Sequence, residues 1–269
     1  MARKKSYPTE AALDTSPEAK GILYVVGTPI GNLEDISLRA LRVLREVNLI
    51  ASENPSWTNR LLARYNIHTP MMRYTDAYNR RKPARIAAAL AALDEGDVAL
   101  VSQGGMPGIA DPGFELIQAA ICHEIPVMAI PGPSALISAL AVSGLRAERF
   151  KFLGFVPRKA GARRKLLKSL ESEPYTTVCY ESKHRLRSTL RDLRSILEKR
   201  RIAIACELTK RHEEIWRGTA SEAIDRYDTS EPRGEYTIVI DGLRVDTVND
   251  LDCRDGTTEG CASGPSLCE

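Results

Sequence analysis

Short, almost wholly apolar runs that alternate with helical stripes constrain this chain more than any other feature. Ile22–Val26 (ILYVV), Val47–Ala51 (VNLIA), Val98–Val101 (VALV) and Val127–Ile130 (VMAI) read as strands. Between them, Ser37–Glu46 carries Leu38, Leu41 and Leu44 on one stripe, Ala84–Asp94 is an Ala/Leu helix stopped at Gly96, and Phe114–Cys122 is a further helix. Strands that are apolar on both faces belong to a parallel sheet covered on both sides. Beyond Gly144 the pattern changes. Phe150–Val156, Thr176–Tyr180 and Ile202–Cys206 read as strands, Ala162–Leu170 and Arg185–Glu198 as helices, and Glu213–Arg217 and Tyr236–Ile240 as alternating strands of a mixed sheet.

At about 150 residues per domain, 269 residues make one large or two modest domains. The pattern favours two α/β lobes with a cleft between them: 21–135 and 136–242, preceded by a polar tail (1–20) and followed by another (243–269). Both tails are expected to be disordered. Ile125–Leu145 has no charged residue over 21 positions, long enough to span a bilayer, but Pro131-Gly132-Pro133 would break a spanning helix. It reads as strand, turn and buried helix. The N-terminus has no apolar leader core, and the six cysteines fit neither a disulfide scaffold nor a zinc spacing. A cytoplasmic protein without a metal is expected.

Three Gly/Pro loops follow apolar strands: Gly27–Asn32, Ser102–Gly113 and Pro131–Ala135. In open α/β sheets, ligands bind beyond the carboxyl ends of the strands, and glycine lets backbone amides approach them. A single such loop is most simply a tight turn; three in one lobe point to a ligand. Neither a GxGxxG nor a P-loop motif is present. The net charge of +3 names no partner, but Arg158, Lys159, Arg163, Arg164, Lys165 and Lys168 put six cations into eleven residues with no acid among them. That patch fits an anionic polymer such as RNA, with a solvated helix face as the plain alternative. Glu53, Glu181 and Glu207 stand at or just past strand ends, as catalytic carboxylates do and as loop-fixing ones do. His184 reads as a surface helix residue.

The segments LYVVGTPIGNLEDISLRAL, LVSQGGMPGIADPG, IPGPSALISALAVSGL, GFVPRKAGARR, CYESKHRL, CELTKRHEEIWRG and RGEYTIVI occur in one order. In that order the chain resembles the ribosomal RNA small subunit methyltransferase I family of the tetrapyrrole methylase superfamily, from about Gly21 to Gly242. The resemblance implies a two-lobed tetrapyrrole-methylase-like fold, a homodimer, and S-adenosylmethionine bound in the cleft. It implies transfer of a methyl group to the 2′-oxygen of a cytidine ribose in small-subunit (16S) rRNA. By motif, the cofactor would meet Pro29, Gly104, Gly105, Met106, Ile109, Ser134, Ala135 and Tyr180. Glu181 or Glu53 would act as base or orienter, Lys210 as electrostatic support, and the basic run with Arg185 would hold phosphates. Two departures stand out: Ser52-Glu53-Asn54-Pro55-Ser56 replaces Ala-Glu-Asp-Thr-Arg, and Gln103-Gly104 replaces Asp-Ala of Ser-Asp-Ala-Gly. These changes leave a non-catalytic RNA-binding homologue, or a tetrapyrrole methyltransferase, as the alternatives.

Overall fold

A computed structural model describes residues 20–74, 82–228 and 232–243. The expected tails fall outside the described residues except at Lys20 and Leu243, as do Cys253, Cys261 and Cys268. The first lobe is built on β1 (Leu23–Val26), β2 (Leu49–Ser52), β3 (Met71–Arg73), β4 (Val98–Val101) and β5 (Val127–Ile130). Their order is β3-β2-β4-β1-β5, and every pairing is parallel. The helices are α1 (Leu38–Glu46), α2 (Pro55–Arg64), α3 (Lys82–Glu95) and α4 (Phe114–Cys122).

Local signals set these boundaries. Ser37 caps α1 by accepting from the Ala40 amide, and Asn54 caps α2 by accepting from Trp57, with Pro55 at the first helical position. α1 buries Ala40, Leu41, Val43 and Leu44, whereas Leu38, expected on the same stripe, stands exposed in the first turn. α2 and β3 were not expected. α2 opens on polar residues and β3 is only three residues long, so neither shows a clear period.

The second lobe contains β6 (Phe150–Phe155), β7 (Thr176–Ser182), β8 (Arg201–Cys206), β9 (Glu214–Thr219) and β10 (Glu235–Ile240). The order is β6-β7-β10-β8-β9, parallel between β6 and β7 and antiparallel elsewhere, which is the mixed sheet the alternation predicts. α6 (Ala160–Lys168), α7 (Leu186–Leu197) and α8 (Ala220–Asp228), the last unexpected from sequence, cover one face. There Leu167, Leu186, Leu190 and Leu193 are essentially fully buried, each such side chain contributing about 1.5–3 kcal/mol.

α5 (Ala135–Val142) covers the other face. Leaving the first sheet at β5, it packs Leu136, Ala139 and Leu140 on Val178, Ala203, Ala205 and Val239 of the second. The carboxyl ends of the first sheet are thereby brought against β7 and β10, and a cleft opens between them. No helix among the described residues is long and apolar enough to cross a membrane, and none of their His, Cys, Asp and Glu side chains forms a metal-sized cluster.

Candidate active site

The cleft is a cavity of about 1010 Å³, bounded by the loops after β2, β4 and β5 and by residues of β7, β10 and the turn after β8. Its floor is fixed by backbone. Thr28 and Gly105 exchange N–H···O bonds of 2.9 and 2.8 Å, tying the first glycine loop to the second. Gly27 lies so close to Gly132 that a Cβ on either would come within about 2.7 Å of the other's backbone. The three Gly/Pro loops therefore form one surface. Ser134 caps α5 by accepting from Ile137, and the Tyr180 hydroxyl accepts from the Leu136 amide at 3.2 Å, fastening that helix start to β7. Burial pushes the Tyr180 phenol above its ordinary range.

Of the residues the resemblance assigns to the cofactor, Gly104, Gly105, Met106, Ile109, Ser134, Ala135 and Tyr180 line the cavity. Pro29 is not among the lining residues; its neighbour Ile30 is, and the Pro29 carbonyl backs Gly104. Glu53, Glu181 and Lys210 also border the cavity.

The carboxylates differ sharply in their surroundings. Glu53 accepts the Gln103 amide at 3.0 Å, and Asn54 donates to the Gln103 side-chain oxygen at 3.4 Å. Glu181 is 1% exposed. Its Oε1 accepts from Ser182 at 2.7 Å and pairs with Arg185 at 2.8 Å, and its Oε2 accepts from Thr189 at 2.6 Å. Both oxygens are thus occupied by the turn from β7 into α7. Of the two roles expected for Glu181, this setting matches that of orienter.

Lys210 bonds Glu207 at 2.9 Å and Glu235 at 3.1 Å. Burial alone would lower its pKa, but the two carboxylates raise it, so it is a fixed cation. Asp111 escaped the sequence reading, because within a twelve-residue glycine loop an Asp-Pro pair looks like turn chemistry. It lines the cavity, and burial pushes its carboxyl up to about 6, helped by the negative charges of Glu53 and Glu235 and opposed by the Ser102 hydroxyl.

The basic run divides. Arg163 is 7% exposed, and its Nε pairs with Asp192 of α7 at 2.7 Å; Arg164 reaches the other oxygen of the same carboxylate at 2.9 Å. Arg185 pairs with Glu181 and donates to the Val156 carbonyl at 2.7 Å. Arg163 and Arg185 therefore serve the fold instead of facing phosphates. The local sequence showed no acid because the acid comes from another helix. Arg158, Lys159, Arg164, Lys165 and Lys168 remain exposed, and none of the six borders the cavity. Lys183 and His184 do border it, in the turn before α7 and not on a helix.

Residues 22–224 match the family of Tetrapyrrole (Corrin/Porphyrin) Methylases. The chain is 48% identical over 223 residues to the ribosomal RNA small subunit methyltransferase I of Thermotoga maritima, covering 82% of this chain and 99% of that protein. It is 47% identical over 224 residues to the protein of that name from Synechocystis, covering 82% and 79%. The chain belongs to the ribosomal RNA small subunit methyltransferase I family. Among solved structures, a cobalt precorrin-4 methyltransferase aligns with a TM-score of 0.60 at 16% identity, covering 82% of this chain and 94% of its own. A uroporphyrin-III C-methyl transferase from Thermus thermophilus, complexed with S-adenosyl homocysteine, aligns with a TM-score of 0.57 at 19% identity, covering 82% and 97%. These likenesses show the same fold in both proteins.

Proposed function

We propose that this chain is an S-adenosylmethionine-dependent methyltransferase of small-subunit rRNA, acting on a cytidine 2′-oxygen in the cleft between lobes 21–135 and 136–242. One observation carries the reading. In a chain nearly half identical to proteins named ribosomal RNA small subunit methyltransferase I, the glycine loops of one sheet and the polar strand ends of the other close on a single cavity. The cavity fits the cofactor chemically. Gly104 leaves this wall as bare backbone, with the Pro29 carbonyl 3.0 Å from where a Cβ would stand. Ile30, Met106, Ile109 and Leu136 supply apolar lining, and Ser134 and Tyr180 add polar groups.

When bound, the cofactor supplies a methyl group on a cationic sulfur, the leaving centre of an in-line displacement. The protein's part is to hold the ribose and accept its proton. Asp111 and Glu53 are the cavity carboxylates without a cationic partner among the described residues, and with a pKa near 6 Asp111 is ionised at neutral pH yet still basic. Lys210, held by Glu207 and Glu235, supports negative charge developing on the oxygen. Glu181 holds the turn that presents Lys183 and His184. A homodimer fits the exposed apolar residues Phe114 and Ile121 of α4 and Met128 of edge strand β5. A cytoplasmic location follows from an rRNA substrate.

A second reading has its own observation. The Asn54–Gln103 bond joins two neutral amides where the family pattern has acids, so a cofactor-binding but non-transferring homologue is the competitor. Incubating the purified protein with labelled S-adenosylmethionine and small subunits lacking the modification separates the two. Label on a ribose 2′-oxygen is expected; calorimetric cofactor binding with no label transferred would leave the second reading.

A further inference from the structure

The second lobe holds a feature that neither its core nor the methyl-transfer chemistry requires. β6 pairs with β7 through Phe150–Thr176, Lys151–Thr177 and Phe152–Val178, and then jumps to Phe155–Tyr180. One extra residue of β6 is inserted there, a bulge. Gly154 sits in it with φ +64, and no atom lies within 4 Å of where its Cβ would be. Backbone conformation, not space, calls for glycine.

The bulge changes which way Phe155 points. In an unbroken strand, residues 153 and 155 would share a face. Leu153 and Val156 instead both pack into the core under α6, α7 and α8, while Phe152 packs on the α5 side. Phe155 joins Phe152 on that side. Both rings meet Tyr180 edge-on, with centroids 5.0 and 5.4 Å away. Phe155 remains 55% exposed and lines the cleft. A ring that unbroken pairing would have sent to the helical core is delivered to the mouth of the site.

We propose that Phe155 is the stacking platform for an unpaired nucleobase of the RNA substrate. The proposal rests on the reading of the chain as an rRNA methyltransferase and names how that site holds its nucleotide. To present a ribose deep in a cleft, a nucleotide must leave its own stack, and an aromatic face replaces part of the stacking lost. Charge complements the ring: Lys183 borders the same cavity, and Arg158 and Lys159 follow β6 on the surface. Trp57, with Arg60 over its ring at 4.9 Å, lines the cavity from the first lobe. The platform takes any base, so it confers grip on an unstacked nucleotide and not sequence preference.

The test compares the full-length protein with Phe155→Ala, Phe155→Leu and Phe155→Tyr variants. Fluorescence anisotropy measures binding of a labelled oligocytidylate and of an abasic ribose-phosphate oligomer of equal length. Loss of the ring in Phe155→Ala should weaken oligocytidylate binding roughly tenfold and leave the abasic oligomer unchanged. Phe155→Leu, apolar but not aromatic, should behave like Ala, and Phe155→Tyr like wild type. On small subunits, Phe155→Ala should raise KM more than it lowers kcat. A wild type that treats the two oligomers alike, or an equal loss on both, overturns the platform. So does a fall in S-adenosylhomocysteine affinity by calorimetry in Phe155→Ala, which would assign the ring to the cofactor pocket. A wild type that shows the base-dependent difference but transfers no methyl group would keep the platform and remove the methyltransferase reading instead.

Discussion

Glu181 at the end of β7 and Asp111 in the loop after β4 border one cleft, yet their surroundings are opposite. Glu181 has a cation, a hydroxyl and an amide on its two oxygens. Asp111 has the Ser102 hydroxyl and, among the described residues, two carboxylates for neighbours instead of a cation. The same split separates the lobes. In the second, Asp192 is held below the usual carboxylate range by Arg164 and Arg163, and Glu207 by Lys210, in both cases against the upward push of burial. In the first, Asp111 is pushed up to about 6. Paired acids hold the second lobe's elements in place; Asp111, on a first-lobe loop without a cation beside it, keeps its proton up to a pH of about 6. Burial without a counter-charge, and not burial by itself, is what makes Asp111 the base of the proposed reaction.

The largest effect should separate those two roles directly. Asp111→Asn is expected to lower methyl transfer to small subunits by about 100-fold or more, the usual contribution of a general base, with cofactor affinity unchanged by calorimetry. Glu181→Gln should act chiefly on stability. If Asp111→Asn keeps full activity while Glu53→Gln abolishes it, the base is Glu53 and the comparison shifts to that residue.

Next in size is the cost of unpairing. Asp192→Ala leaves Arg163 buried without its partner, which costs about 3 kcal/mol. For a domain of this size that lowers Tm by about 6–12 °C, measurable by calorimetry. A drop near zero would mean the triad is solvated in solution.

A smaller effect follows from the sign of the Asp111 shift. Its folded pKa lies above the unfolded value, so the native state binds the extra proton and stability declines as pH rises from 3.8 to about 6. Asp192 and Glu207 have the opposite sign: their contribution is lost as pH falls below the usual carboxylate range. Asp111→Asn removes only the first dependence. After screening, the variant should be about 1 kcal/mol more stable than wild type at pH 7 and no more stable at pH 4, by urea titration. Catalysis by the wild type should rise with pH through about 6. A pH-independent difference between the two proteins would show that the aspartate is fully solvated.

Elements defined by local periodicity could be read from the residues. β4, β5 and α4 fall where VALV, VMAI and Phe114–Cys122 predict. So could the glycine loops, because close backbone approach and positive φ leave a compositional mark. Partnerships were not visible. Asp192 lies 28 residues from Arg164, and Thr189 and Arg185 close around Glu181 only once α7 forms. A run of cations therefore looked uniform although one of its members is buried in an ion pair. Asp111 was hidden for the converse reason: its chemistry comes from what the fold withholds. The bulge at Gly154 was equally silent, since FKFLGFV scans as one apolar strand.

The smallest effect tests that division within the basic run itself. Lys165 and Lys168 are exposed on α6 and have no ion pair among the described residues, whereas Arg163, on the same helix, is held by Asp192. Each lysine that meets a single-stranded phosphate releases about 0.7 counterion, so Lys165→Ala with Lys168→Ala should flatten the log K against log salt slope by about 1.4. Tm should barely move. Arg163→Ala should do the reverse, lowering Tm and leaving the slope as it was, because a guanidinium already neutralised by a buried carboxylate has no counterions to release. Equal slopes in wild type and double variant would take α6 off the RNA-binding face and leave that role to Lys183 at the cleft, beside Phe155.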